Sequence, residues 1–306
     1  MKAAFAGTPD FAAIVLRGLI SSSHEVGLVI SQPDARRGRG LKTRSTPVAE
    51  LARSAGLPLR LPARISESVT EISDLDVLVV AAYGQILRPD TLYAAREGSW
   101  NVHASLLPKY RGAAPVERAI MEGERETGVT VMRMDEGLDT GDVALQRAVE
   151  IPHEMTGGEL TIQLAHTGAE TIVEAMDSLE AGKLTLTQQD RLRATYASKV
   201  TDEEKVIRWE LSGGEVHDQV RALAPHIGAR ALHPGIEGSV KIWRSRVVEV
   251  GAPSLEKGRI LAENRRIVVG CEIGALEVLE LQIPGSRRLS THDFLLGNSL
   301  EGAFLV

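Results

Sequence analysis

Two patterns of hydrophobic and polar residues divide the chain. Up to about residue 188, short apolar runs alternate with longer stretches whose apolar residues recur at helical spacing. The runs predict strands at Lys2–Ala6, Glu25–Ser31, Leu57–Leu61, Asp76–Ala82, Ser99–Ala104 and Gly128–Met134. The longer stretches predict helices at Phe11–Leu19, Pro47–Ala55, Pro115–Met121 and Gly158–Leu179. This alternation predicts an α/β fold, a Rossmann-like and mostly parallel sheet with helices on both faces.

The pattern changes after a polar, weakly patterned segment at residues 189–204. Beyond it, short alternating runs separated by glycines predict strands at Ser239–Trp243, Val247–Val250, Gly258–Ala262, Arg266–Gly270 and Ala275–Gln282. Such strands form a small antiparallel barrel or sandwich, and we predict an OB-like β-barrel. A capping box at Ser290–Asp293 predicts a short final helix. The predicted organisation is a first domain at 1–188, a linker at 189–204 and a C-terminal β-barrel domain at 205–306.

Composition narrows the class of protein. A chain of 306 residues exceeds the usual size of one hydrophobic core, which favours two domains. The single cysteine, Cys271, has no partner for an internal disulfide and no companion thiolates for a zinc or iron–sulfur site. Gly7, Pro9 and Asp10 interrupt the apolar stretch Ala3–Ile20, so it resembles neither a signal peptide nor a membrane span. We expect a cytoplasmic protein without membrane association.

The charge distribution is uneven. The net charge of −6 argues against a nucleic-acid partner, because phosphate binding depends on lysine and arginine. One short segment nevertheless carries five basic residues against one acid, namely Arg36, Arg37, Arg39, Lys42 and Arg44. Without an apolar pattern this segment cannot pack into a core, and a solvated surface loop is its default interpretation.

Polar residues at one predicted strand end suggest chemistry. Asn101 and His103 alternate along their strand, so both side chains should lie on one face at its C-terminal end, where open α/β sheets bind ligands. The carboxylate-rich loop Met134–Asp142 could bring an acid to His103. From these residues alone, His103 could be structural and the carboxylates could form turns or, less favoured, bind a cation. The first turn, Gly7–Asp10, lacks G-x-G-x-x-G and disfavours a dehydrogenase.

Four motifs together resemble the signature of the folate-dependent formyltransferases. They are Asn101-Val102-His103, Ser105-Leu106-Leu107-Pro108, Arg111-Gly112-Ala113-Ala114-Pro115 and Gly137-Leu138-Asp139-Thr140-Gly141. Within that superfamily, Phe5–Ala12 and Gln32–Gly40 resemble the methionyl-tRNA formyltransferase branch. The similarity covers essentially the whole chain, with looser matches after the catalytic motifs.

The resemblance implies three sets of site residues and no metal. The implied catalytic residues are Asn101, His103 and Asp139, with the first two as donors to an oxyanion and Asp139 orienting His103. The implied folate-binding residues are Tyr83, Gly84, Gln85, Ile86, Leu87, Ser105, Leu106, Leu107, Pro108 and Lys109. The implied tRNA-binding residues are Arg36, Arg37, Arg39, Lys42 and Arg44.

The implied activity is transfer of the formyl group of 10-formyltetrahydrofolate to the α-amino group of initiator methionyl-tRNA, for translation initiation. The expected partners are this tRNA and the reduced folate, and we expect a monomer. One alternative is a formyltransferase of the same superfamily that acts on a sugar nucleotide or another small amine. An alternative of another class is a non-catalytic RNA-binding module.

Overall fold

The structure is a computed structural model that describes residues 1–37, 42–248 and 255–305. Its internal contacts divide the chain into two compact units. The first unit comprises Met1–Pro115, Glu126–Glu150 and Thr161–Ala197, and the second comprises Val116–Arg125, Ile151–Leu160 and Ser198–Val306. Each unit is therefore built from several stretches of the chain. The domain boundaries drawn from the sequence, with a linker at 189–204, stay a prediction.

Strands and helices alternate through the first part of the chain. The strands are β1 (Lys2–Gly7), β2 (Glu25–Ile30), β3 (Ala35–Arg37), β4 (Lys42–Arg44), β5 (Leu59–Arg60), β6 (Val77–Ala81), β7 (Ser99–His103), β8 (Arg111–Gly112), β9 (Glu126–Arg133), β10 (Val143–Glu150) and β11 (Tyr196–Ala197). The helices are α1 (Asp10–Ile20), α2 (Pro47–Ser54), α3 (Val69–Ser73), α4 (Pro89–Leu92), α5 (Pro115–Met121) and α6 (Gly157–Glu180). Of the helices in the described ranges, none is both long enough and apolar enough to cross a membrane.

Seven of these strands form the central sheet, in the order β10-β9-β7-β6-β1-β2-β5. The pairs that join β7, β6, β1, β2 and β5 are parallel, whereas β9 runs antiparallel to both β7 and β10. Every residue of β6 is buried, as expected of a parallel strand that is covered on both sides. The predicted mostly parallel sheet is confirmed.

Helices cover both faces of this sheet. On one face, Leu78 of β6 packs in a cluster with Ile72 of α3 and Leu92 of α4. On the other face, Gly168 of α6 lies so close to β7 that an added Cβ would stand 2.7 Å from Cγ1 of Val102. The absence of a side chain at Gly168 therefore permits close packing of α6 on the sheet.

The second unit contains an antiparallel sheet. Its further elements are α7 (Gly213–Leu223), β12 (Ala229–Leu232), β13 (Ser239–Val248), β14 (Ile260–Glu263), β15 (Arg266–Gly270), β16 (Ala275–Gln282), β17 (Leu289–Ser290) and α8 (Thr291–Phe294). The strands follow the order β12-β13-β16-β15-β14, with β17 also paired to β16, and every pair is antiparallel. The predicted C-terminal antiparallel domain is confirmed, and its closure into an OB-like barrel stays a prediction.

Several elements differ from the sequence prediction. The structure contains β10 and α7, which the hydrophobic pattern did not predict. The two strands predicted at Ser239–Trp243 and Val247–Val250 are one strand, β13, as far as Val248, and residues 249–250 lie outside the described ranges. The predicted cap of the last helix is confirmed, because Ser290 Oγ accepts the Asp293 N–H at 3.1 Å.

Candidate active site

The end of β7 carries two polar side chains on one face of the sheet. Asn101 pairs with Val80 of β6, so its side chain lies on the face that packs against α3 and α4. His103 follows two residues later on the same face, whereas Val102 between them faces α6. Asn101 is half-buried and His103 is buried. An amide and an imidazole thus share one side of this strand.

The two ring nitrogens of His103 have different neighbours. Nε2 lies 2.9 Å from the carbonyl oxygen of Tyr110, and because a carbonyl only accepts, this nitrogen carries a proton. Nδ1 lies 3.7 Å from Oδ2 of Asp139, beyond direct hydrogen-bond distance. A proton held on Nδ1 would therefore face the Asp139 carboxylate at ion-pair distance.

Backbone contacts fix the Asp139 carboxylate. Its Oδ2 accepts the N–H of Gly112 in β8 at 2.8 Å, and the side chain is only 13% exposed. Asp139 has a φ of +51°, in the left-handed region that aspartate tolerates better than most residues. The motif that contains Gly112 thus holds the carboxylate that faces His103.

The loop between β9 and β10 is closed by its own side chains and by backbone bonds. Asp135 Oδ1 accepts the Gly137 N–H at 3.0 Å and the Thr140 hydroxyl at 2.6 Å, so this carboxylate serves as a turn residue. A Cβ on Gly141 would lie 1.8 Å from the carbonyl oxygen of Arg133, which only glycine avoids. The loop therefore presents Asp139 in one defined conformation.

A buried pair that the sequence did not reveal adjoins this loop. Arg111 is 3% exposed and Gln189 is 6% exposed. The guanidinium Nη2 of Arg111 donates to Gln189 Oε1 at 2.6 Å, and Gln189 Nε2 donates to the carbonyl of Asp139 at 2.9 Å. Gln189 is the first residue of the predicted linker, and a single polar residue without periodicity gave no signal of burial.

The first predicted folate segment, residues 83–87, has mixed surroundings. Tyr83 is buried in the core cluster, where burial raises the pKa of its hydroxyl to about 12, with a further contribution from Glu67. Gln85 donates to the carbonyl of Ala63 at 3.0 Å and accepts the N–H of Ile65. The members that face solvent are Gly84, with a φ of +87° and open space around it, and Ile86, which is 92% exposed.

The second predicted folate segment, residues 105–109, is fixed to β9. Ser105 Oγ donates to the carbonyl of Lys109 at 2.6 Å, and the buried Leu107 donates its N–H to Thr130 Oγ1 at 3.0 Å. Leu106 and Pro108 are half-buried, and Lys109 is exposed. Leu106 and Pro108 are thus the apolar members of this segment that keep accessible surface.

The basic residues lie in a separate element. Ala35–Arg37 and Lys42–Arg44 pair as the antiparallel strands β3 and β4, in which Arg37 pairs with Lys42. Beside them, Ser45 Oγ donates to Asp34 Oδ1 at 3.0 Å. Arg44 is exposed, and Arg39 lies outside the described residues. Of the candidate RNA-binding residues, Arg36, Arg37, Lys42 and Arg44 therefore belong to this pair of strands, the basic hairpin, and not to the loop that holds Asp139.

Two clusters of potential metal ligands occur within the described ranges. They are His153, Glu154 and His217, and His24, Asp177 and Glu180. Neither cluster includes Asn101, His103 or Asp139. The candidate catalytic residues are thus distinct from these clusters.

Comparison with known proteins identifies the family. The family model of formyl transferase matches residues 1–176, and the model of the formyl transferase C-terminal domain matches residues 199–299. The chain belongs to the formyltransferase family. The resemblance drawn from the four motifs is therefore confirmed at the level of the family.

Curated formyltransferases resemble the chain over its whole length. A methionyl-tRNA formyltransferase of Rubrobacter xylanophilus is 66% identical over 303 residues, which cover 99% of each chain. A methionyl-tRNA formyltransferase of Symbiobacterium thermophilum is 44% identical, over 98% of this chain and 94% of that relative. Both formyltransferase domains are thus shared with these relatives.

Two solved structures share the fold of the chain. The N-formyltransferase of Helicobacter canadensis, in complex with folinic acid and dTDP-3-aminofucose, has a TM-score of 0.68 at 17% identity and covers 91% of this chain and 98% of its own. HypX of Aquifex aeolicus, in complex with tetrahydrofolic acid, has a TM-score of 0.69 at 18% identity and covers 97% of this chain and 47% of its own. At these identities the likeness concerns the fold alone.

Proposed function

We propose that this chain transfers the formyl group of 10-formyltetrahydrofolate to the α-amino group of initiator methionyl-tRNA. The observation that carries the proposal is the arrangement of Asn101, His103 and Asp139 around one end of β7. The likeness to relatives named methionyl-tRNA formyltransferase, over 99% of the chain in one case, supports the choice of acceptor. We place the protein in the cytoplasm and propose that it acts as a monomer.

The reaction needs stabilisation of a transient negative charge. The neutral amine attacks the formyl carbon, a C–N bond forms, and the carbonyl oxygen becomes an oxyanion before the bond to N10 of the folate breaks. The Asn101 amide is suited to donate a hydrogen bond to that oxygen, and one such donor is typically worth about 3 kcal/mol. His103 in its protonated form is the second proposed donor.

Proton transfer is assigned to His103 and Asp139. The amine releases one proton and the folate nitrogen takes one up, so the net proton count is unchanged. Because the Tyr110 carbonyl occupies Nε2, Nδ1 is the nitrogen that can take part, and Asp139 faces it across 3.7 Å. Positioned acid–base groups contribute about 10²–10⁴-fold in rate. The proposed transfer uses only side chains of the protein and requires no metal.

The formyl donor is proposed to bind along residues 83–87 and 105–109. Open space around Gly84 and the exposed side chain of Ile86 suit the flat face of a heterocycle. Leu138, which is 60% exposed beside Asp139, offers a further apolar surface. The backbone of the loop after β9 would supply the polar contacts to the pterin.

The tRNA is proposed to bind through the basic hairpin and the C-terminal domain. The proposed division is a catalytic domain at 1–188, a linker at 189–204 and a tRNA-binding domain at 205–306. Arg36, Arg37, Arg39, Lys42 and Arg44 supply cations that can neutralise phosphates. The match to the formyl transferase C-terminal domain gives the chain a second domain, to which we assign the remaining contacts with the tRNA.

The acceptor can be tested directly. The protein would be incubated with 10-formyltetrahydrofolate and, in parallel, charged initiator tRNA, charged elongator tRNA, an amino-sugar nucleotide or free methionine. We expect formylation of the initiator tRNA, unchanged by prior dialysis against EDTA. Formylation of the sugar nucleotide alone would instead establish the small-amine alternative. RNA binding without any transfer would establish the non-catalytic alternative.

A further inference from the structure

Gln189 lies between the two segments that match the formyltransferase family models, which end at residue 176 and begin at residue 199. It is almost completely buried, in a stretch whose neighbours Gln188 and Asp190 are exposed. A buried amide is stabilised only when its donors and acceptors are paired. The partners of Gln189 therefore indicate what it does.

The Gln189 amide accepts two hydrogen bonds through its oxygen and donates two through its nitrogen, so all four of its hydrogen-bonding positions have a partner. Its Oε1 accepts from Nε and Nη2 of Arg111, at 3.2 and 2.6 Å. Its Nε2 donates to the carbonyl oxygens of Asp139 and Gly141, at 2.9 and 2.7 Å. Because a guanidinium only donates and a carbonyl only accepts, the reverse amide orientation would leave four mismatched contacts.

The hydrogen bonds of Gln189 fix both residues of the contact between the Gly112 N–H and the Asp139 carboxylate. Arg111 precedes Gly112, whose N–H binds the Asp139 carboxylate, while Gln189 binds the backbone carbonyl of Asp139 itself. The left-handed conformation of Asp139 is sparsely populated and persists only where its surroundings fix it. Gln189 thus links the loop that contains Asp139 to β8, whose Gly112 N–H binds the Asp139 carboxylate.

We propose that Gln189 is a positioning residue, which sets the distance and direction of the Asp139 carboxylate toward His103 through its bonds to the carbonyls of Asp139 and Gly141. Arg111 fixes the amide in the orientation that this requires. The proposal rests on the proposed catalytic role of Asp139. Gln189 itself need not touch either substrate.

The substitution Gln189→Glu separates positioning from folding. A carboxylate keeps the size and strengthens the pairing with Arg111, but it cannot donate to the two carbonyls and repels them. We expect the variant to fold, with a melting temperature lowered by about 2–4 °C because two buried carbonyls lose their donor, and with Michaelis constants within about twofold of wild type. We expect kcat to fall by about 10- to 100-fold, the scale of a displaced catalytic group. Gln188→Glu, the same change at the exposed neighbour, should leave the melting temperature, the Michaelis constants and kcat unchanged.

Two further measurements decide whether Gln189 acts through Asp139. In an Asp139→Ala background, Gln189→Glu should lower kcat by less than about twofold, because coupled residues are not additive. Hydrogen exchange of residues 135–142 should be faster in Gln189→Glu and unchanged in Gln188→Glu. Should Gln189→Glu unfold, Gln189→Asn, whose shorter amide cannot reach both partners, carries the same expectations.

The possible results distinguish a failure of this inference from a failure of the proposed role of Asp139. Wild-type kcat in Gln189→Glu, equal losses in both backgrounds, or unchanged exchange of the loop would each overturn the positioning role while leaving the proposed function intact. Wild-type kcat in Asp139→Ala alone would overturn both the role of Asp139 and this inference. A loss of kcat confined to backgrounds that retain Asp139, with faster exchange of the loop, supports the inference.

Discussion

The two ring nitrogens of His103 have different partners, so substitutions at Asn101 and at Asp139 test different parts of the proposed mechanism. Nε2 is paired with the Tyr110 carbonyl, which orients the ring, whereas Nδ1 faces Asp139. Asn101 lies on the same face of β7 as His103. A change at Asn101 thus removes a donor without disturbing the imidazole, and a change at Asp139 alters charge without removing the ring.

Removal of either proposed oxyanion donor should lower turnover and not stability. We expect Asn101→Ala and His103→Ala each to reduce kcat by at least about 100-fold, because a preorganised donor stabilises the transition state more than the bound substrate. Steady-state kinetics at saturating folate and tRNA, with thermal unfolding as the control for folding, would measure this. Near wild-type turnover in either variant would refute the role given to that residue.

Asp139→Asn tests the charge of this side chain alone. Asparagine also tolerates the left-handed backbone, and its side-chain oxygen can still accept the Gly112 N–H, so the loop should keep its conformation. Without the negative charge, a proton on His103 Nδ1 loses its counter-ion. We expect kcat to fall by about 100-fold with little change in melting temperature. Equal kcat in Asp139→Asn and wild type would show that the charge is dispensable.

Single residues were predictable from the sequence where a motif fixes them, and not where packing does. Asn101 and His103 follow from strand alternation, since residues two apart share a face. The burial of the Tyr83 side chain in the core did not follow from the sequence, because an aromatic ring in a loop can fold back onto a sheet. Its place in the folate surface stays a prediction. Gln189 carried no signal, because its burial depends on Arg111, which is distant in sequence.

At the scale of elements, the buried parallel strands were predicted well and the edges were not. β6 is an unbroken apolar run, the pattern of a strand covered on both faces. β10 lies at the edge of the sheet and mixes exposed polar residues such as Gln146 and Glu150 into its sequence, so it lacks such a run. α7 begins with two glycines, which lower its helix propensity, although Ser212 and Glu215 form a capping box.

An ion pair between α5 and a 3-10 turn in the second unit gives a pH-dependent prediction. Glu204 accepts from Arg118 Nη2 at 2.9 Å and from the Thr201 N–H at 2.8 Å. The hydrogen bonds from Arg118, followed by that from Thr201, lower the pKa of Glu204 from 4.5 to about 2. The folded state therefore favours the charged form, and this stabilisation is present above pH 4.5 and is lost as pH falls toward 2.

Glu204→Gln should accordingly lower the melting temperature at pH 7. Because the carboxylate is partly exposed, we expect a shift of only about 2–4 °C, the scale of one surface ion pair. The difference from wild type should shrink steadily as pH falls below 4.5. Glu237→Gln, at an exposed position in the same unit, should have no comparable effect. A difference that stays constant down to pH 3 would contradict the assignment to the ionised carboxylate.

At the scale of the whole molecule, net charge conceals the feature that matters for an RNA substrate. The chain carries −6 overall and would repel a polyanion at long range, yet five cations are concentrated between residues 36 and 44. The sequence could predict this concentration but not its conformation, because short polar strands such as β3 and β4 have no hydrophobic pattern. Recognition through such a segment is local. The slope of the binding constant against salt concentration, on logarithmic axes, then reports how many phosphates the segment contacts.

The double substitution Arg36→Ala and Arg44→Ala tests this local recognition. If both cations contact phosphates, the log–log salt dependence of initiator tRNA binding should lose about 0.9 in slope per contact, and binding should weaken most at low salt. A control pair, Arg17→Ala and Arg96→Ala, removes two exposed arginines elsewhere and changes the net charge equally, from −6 to −8. Only the hairpin pair should flatten the slope, and folate affinity should stay the same in both. Equal slopes in the two double variants would mean that only net charge matters, and would remove the hairpin from tRNA recognition.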